Sequence, residues 1–204
     1  MSSHHIVRDE QEPALYIHAA DNFLLAALGD LLEWSPTVIC SEEALQKVVD
    51  YGTKVDAIPH MPESTDLDAI LRSQAPIRVM PFDPGKIAEL FDVLASENYK
   101  GLNIATTKGK HEELLADVSS YRGPMDCTVY TPAHRIVRIR HAPFQKWLAV
   151  GHYAILGQGQ TFDTRGFDAD VSSDHSPQIA MEKSTAGLVR IDCSEPPFWF
   201  IEEL

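Results

Sequence analysis

The sequence predicts an α/β N-terminal half with a mainly parallel sheet, followed by an all-β antiparallel, sandwich-like half. Three observations carry this. Short apolar runs alternate with helical patterns as far as Tyr121. Arg122-Gly123-Pro124 then breaks the pattern. Beyond the break the apolar period falls to two and turn residues recur every few positions, as antiparallel strands require. The expected domains are therefore 1–123 and 124–204.

Ala14 to His18 reads as the first strand. Asp21 or Asn22 can cap a helix that carries Phe23, Leu24, Leu25, Leu28 and Leu31. Thr37 to Cys40 is a β-prone run after a Ser-Pro break. Ser41 is a good N-cap, and Glu42 and Glu43 place negative charge where the helix dipole favours it. Ala44, Leu45, Val48 and Val49 form one apolar face, and Gly52 suits a left-handed helix end. Val55 to Ile58 begins another strand, which Pro59 stops. Asp66 to Ser73 reads as a short helix and Ile77 to Met80 as a strand. Asp83-Pro84 predicts a helix start, with Ile87, Leu90, Phe91 and Leu94 on the buried face. Leu102 to Ala105 is the next strand, and Glu112 to Tyr121 the last helix. In the second half the strand candidates are Cys127–Tyr130, Arg135–Ile139, Trp147–Val150, Tyr153–Leu156, Thr161–Phe162, Ile179–Met181, Leu188–Cys193 and Phe198–Ile201.

Bulk properties narrow the function. A chain of 204 residues can bury roughly 70% of its unfolded surface. It is 44% hydrophobic and 23% charged, with net charge -13 and pI about 5.0. Such a surface argues against nucleic acid and anionic membranes as partners. Cys40, Cys127 and Cys193 are far apart, each in a strand-like run, and read as buried free thiols in a reducing cytoplasm. No apolar run is long enough to span a bilayer, and the polar N-terminus lacks a signal-peptide core.

Several motifs weigh little. Asp168 to Asp174 resembles half of a calcium loop, but Ser173 stands where glycine is needed and Ile179 where the bidentate glutamate belongs. It reads as a solvated acidic loop. Gly157-Gln158-Gly159 reads as a hairpin turn. There is no Walker A sequence and no nucleophile elbow, and the histidines lack metal spacing. Lys108-Gly109-Lys110-His111 is a compact basic loop between a strand and a helix, where anion binding at a helix N-terminus is conceivable; a solvated loop is the plainer reading. In open α/β sheets ligands bind beyond the carboxyl ends of the strands. Those ends carry Ser41-Glu42-Glu43 and His60-Met61-Pro62-Glu63.

The two halves together resemble the thiamine pyrophosphokinase family. The similar segments are Leu31 to Ile39, Val49 to Asp56, Tyr99 to Ile104, and loosely Trp147 to Gly151 and Thr161 to Phe167. The resemblance implies pyrophosphoryl transfer from ATP to thiamine with Mg²⁺ held by acidic side chains. It also implies a homodimer in which thiamine sits between one subunit's β half and its partner's α/β half. The apolar ending Pro197-Phe198-Trp199-Phe200-Ile201 is expected to contribute to that interface.

The family's chemical motifs are altered here. The Gly-Asp-x-Asp motif falls on His60-Met61-Pro62-Glu63, and the Asp-Gly-Gly/Ala turn near Glu42-Glu43-Ala44. The next acidic motif falls on Asp83-Pro84-Gly85-Lys86, with lysine at its last acid. The Gly-x-Arg-x-Asp-His loop falls on Gly109 to Leu114. Methionine cannot ligate a hard cation. The preferred expectation is a catalytically degenerate homologue that survives as a binding or structural protein. Its candidate ligand-binding residues are Glu42, His60, Lys86, Lys110 and His111. The alternative is an active Mg²⁺- and ATP-dependent transferase using Glu63, Asp66, Asp83 and Glu113. No metal ligand set is assigned.

Overall fold

The computed structural model describes residues 12–61, 67–157, 159–169, 172–174 and 178–204, with Phe23 and 172–174 described by their backbone. It divides into two compact units, 1–132 and 133–204.

The first unit holds strands β1 (Ala14–Ile17), β2 (Val38–Cys40), β3 (Ala57–Ile58), β4 (Arg78–Val79), β5 (Gly101–Ala105) and β6 (Asp126–Tyr130). They form a parallel sheet in the order β6-β5-β1-β2-β3-β4. Its helices are α1 (Asn22–Ala27), α2 (Gly29–Glu33), α3 (Glu42–Asp50), α4 (Asp68–Ser73), α5 (Ile87–Ser96) and α6 (His111–Val118). Leu24 and Leu25 of α1, Leu45 and Val48 of α3, and Leu71 of α4 pack in one cluster with Leu15, Ile17, Val38 and Cys40 of the strands. Ile87, Leu90, Phe91 and Leu94 of α5 are all buried, as their spacing predicts. Each such side chain stabilises the fold by roughly 1.5–3 kcal/mol. Phe91 stacks on Tyr121 with ring centroids 4.3 Å apart.

Local differences from expectation have local causes. The first helix is two, broken at Leu28, because Gly29 is a weak helix former. Helix α5 starts at Ile87 rather than at Pro84. Asp83 accepts the Gly85 N–H on its side chain at 2.9 Å and the Lys86 N–H on its carbonyl at 2.8 Å, which makes a turn instead. Cys127 to Tyr130, expected in the antiparallel half, belongs to β6 and runs parallel to β5.

The second unit is two antiparallel sheets. One is β12-β9-β14-β7 and the other β11-β10-β13-β8. The strands are β7 (His134–Ile139), β8 (Phe144–Leu148), β9 (Gly151–Leu156), β10 (Thr161–Arg165), β11 (Ser172–Asp174), β12 (Gln178–Lys183), β13 (Gly187–Cys193) and β14 (Phe198–Glu203). Ile155, Phe198 and Phe200 of one sheet share a core with Phe162, Val189 and Ile191 of the other, so the unit is a sandwich. Among the described residues no helix follows α6.

Three expectations change here. β11 was not foreseen; it occupies part of the stretch read as an acidic loop and pairs with β10. The glycines of 157–159 lie between β9 and β10, which belong to different sheets, so this is a crossing and not a hairpin. A Cβ on Gly157 would lie 2.6 Å from the Phe162 ring, and Gly159 has φ +81°; both positions therefore demand glycine. Finally, Phe198, Trp199 and Phe200 are buried, and the first and last are core of this unit itself. The apolar ending is internal packing, not a free face. The thiols of Cys40 and Cys127 are buried and that of Cys193 is half-buried; none of the three is in a disulfide.

Candidate functional site

The polar residues gather at the carboxyl ends of β1, β2, β3 and β5. Ser41 joins the first two. Its N–H donates to Ile17 O at 3.0 Å, its hydroxyl donates to His18 O at 2.8 Å, and its oxygen accepts the Ala44 N–H at the start of α3. His18 ends β1 and donates its backbone N–H to Ala105 O at 2.9 Å. Its Nδ1 shares a 3.1 Å hydrogen bond with Thr106 Oγ1. Lys47 of α3 donates to Ala20 O at 3.1 Å. These bonds fix three strand ends against one another.

Charged pairs surround this frame. Lys110 Nζ lies against Glu43 Oε2. Glu43 follows β2 and Lys110 follows β5, and β1 runs between those strands, so the ion pair spans the end of β1. The Lys110 ammonium holds the Glu43 carboxyl below its usual range. Burial, and then the Lys110 charge, push the His18 imidazole below its ordinary value. His60 Nε2 is 3.5 Å from Glu42 Oε2, both about half exposed. Lys86 is 3.7 Å from both Asp83 and Glu89. His111 opens α6, and its Nδ1 is buried without a hydrogen-bond partner among the described residues. Glu113 is exposed in the first turn of α6. Glu63 and Asp66 lie outside the described residues.

The candidate residues therefore form pairs: Asp83 with Lys86 and Glu43 with Lys110 as ion pairs, and Glu42 beside the His60 imidazole. Sequence reasoning missed His18 and Thr106. The signal available for His18 was its place at the carboxyl end of the first strand. A divalent metal does not fit what is described. Among the described residues no three His, Cys, Asp or Glu side chains converge to hold an ion, and the Glu43 carboxylate already faces an ammonium. A groove of about 980 Å³ does exist, lined by Thr37, Asp56, Arg78 and Tyr99 among others. These residues stand at the amino ends of the strands, away from this site.

No protein-family model matches the sequence, and no curated protein matches it. Solved structures do. Thiamine pyrophosphokinase from Bacillus subtilis superposes with a TM-score of 0.69 at 9% identity, covering 94% of this chain and 98% of that one. This chain has the thiamine pyrophosphokinase fold. The enzyme from Geobacillus thermodenitrificans gives 0.69 at 12% identity, over 94% and 97% of the two chains. Yeast thiamin pyrophosphokinase gives 0.65 at 15% identity, over 98% and 88%. The framework is thus shared nearly end to end with the thiamine pyrophosphokinases.

The His18 environment sets a pH dependence. Its imidazole is lowered in the fold from 6.5, so the unfolded chain binds the proton more readily. Its contribution to stability is complete above pH 6.5 and is lost as pH falls toward the depressed folded value. Urea unfolding of the wild type is expected to weaken more steeply below pH 6.5 than that of His18→Asn. Equal slopes for the two proteins would contradict this.

Proposed function

We propose that this chain is a catalytically degenerate homologue on the thiamine pyrophosphokinase fold, which binds thiamine or a related small molecule and does not transfer a pyrophosphoryl group. The observation that carries the reading is the pairing of Glu43 with Lys110 at the strand ends, where transfer would need carboxylates free to fix a metal against phosphates. Met61, exposed after β3, supports it, since a thioether does not ligate Mg²⁺. Met61 and Lys86 stand where the resemblance puts two of the acids; losing one placed charge costs about 10²–10³ in rate, so two losses bring turnover near background.

A coupled assay of purified protein with Mg²⁺-ATP and thiamine tests this. Turnover is expected below roughly 0.1 per second, under the slow end of ordinary enzymes. Faster turnover would overturn the reading and return Glu63, Asp66, Asp83 and Glu113 as metal ligands. In the same preparation thiamine is expected to raise the melting temperature by mass action. No shift with thiamine, thiamine diphosphate or ATP would remove small-molecule binding. A homodimer belongs to this proposal. The exposed cross-strand pair Trp147 and Leu188 on the β unit supports it as an apolar patch, and a monomer mass by light scattering at micromolar concentration would exclude it.

A further inference from the structure

In a metal-dependent phosphoryl site a cation stands between protein carboxylates and ligand oxygens. Here an ammonium already stands against the carboxylate. Lys110 Nζ bonds to Glu43 Oε2, and an ammonium has three donors, so that contact leaves others for a ligand. Lys110 holds the Glu43 carboxyl below its usual range.

The loop that carries Lys110 offers further donors. Lys108 lies two residues earlier on the same loop and is exposed. The space about Gly109 is open, so the loop backbone can be approached. Helix α6 begins with no side-chain cap on its first N–H groups. The Tyr16 hydroxyl is wholly buried with no hydrogen-bond partner among the described residues. Its ring lies 5.9 Å from that of His18, and it is within electrostatic reach of Glu43. A buried hydroxyl left unpaired is costly.

We propose that this site takes an oxyanion directly, with the Lys110 ammonium bridging Glu43 and the ligand in the place of a divalent metal. The inference rests on reading the chain as a binding homologue. One charge attracts less than a divalent ion, and the first-turn acids Glu112 and Glu113 oppose an anion, so the affinity is modest and falls with salt.

Calorimetric titration with inorganic pyrophosphate tests it, in EDTA and again in excess Mg²⁺, with acetate as a carboxylate probe. The wild type is expected to bind pyrophosphate or acetate in EDTA, with no requirement for Mg²⁺. Lys110→Met is expected to lose about tenfold or more. Lys110→Arg, which keeps the charge, is expected to retain binding, and this separates loss of the ammonium from a folding defect. Binding that requires Mg²⁺, wild-type affinity in Lys110→Met, or no binding of either probe in EDTA would overturn the inference. None of these outcomes bears on turnover, whose detection would instead overturn the functional reading.

Discussion

Gly166→Ala is expected to destabilise the protein by about 3–5 kcal/mol, through three effects at one position. Gly166 follows β10 with φ +87°, a conformation that L side chains adopt at a cost. A Cβ there would lie 2.4 Å from the Leu188 carbonyl oxygen and 3.3 Å from the Val189 Cα. Both atoms are backbone of β13, which cannot step aside without disturbing its pairing with β10. The Gly166 carbonyl also accepts a 2.6 Å hydrogen bond from Lys183, a lysine only 6% exposed. Moving that carbonyl strips an acceptor from a buried ammonium. Urea denaturation measures the loss, and a decrease below about 1 kcal/mol, the ordinary effect of a point change, would contradict the account.

Phe200→Ala is expected to cost about 3–5 kcal/mol, the range for emptying a large aromatic site in a core. Phe200 is fully buried at the centre of β14, opposite Val137 and Ile155. It stacks on Tyr153 with centroids 5.8 Å apart and tilts against Phe144 at 5.3 Å. Strands flank β14 on both sides, so the cavity cannot readily collapse. Trp34→Ala is the natural comparison. That tryptophan is 69% exposed, and its loss should fall within about 0.5 kcal/mol of zero. Equal effects would mean that the two aromatics are not sorted between core and surface as described.

Local pattern carried much of the architecture. The α5 face and the cap at Ser41 were readable because helical period and capping chemistry act within a few residues. The alternation of Val189 and Ile191 in β13 was readable for the same reason. Where pairing is set by distant chain, the sequence was silent. Nothing local in Asp126–Tyr130 says that its partner is parallel, and β11 is polar and three residues long. The site divides in the same way. The strand-end rule located Glu42, Glu43 and His60, and the basic loop after Ala105 located Lys110. The partner that gives Lys110 its meaning, Glu43, stands far from it in sequence and is brought to it only by the strand order β2-β1-β5. His18 and Thr106 meet for the same topological reason.

That strand order also bears on how the chain is made. β1 pairs on one side with β2, which follows soon after it, and on the other with β5, where Ala14 meets Leu102 and Ile17 meets Ala105. A ribosome releases the N-terminus first, at about 5–20 residues per second. Until Gly101 to Ala105 has emerged, one edge of the first strand has no partner, with Leu15 and Ile17 beside it. Such an edge is a template for pairing with other chains, and contacts this remote form late. A nascent chain stalled in α5 therefore presents this edge to chaperones, whereas one that has passed β5 has closed it.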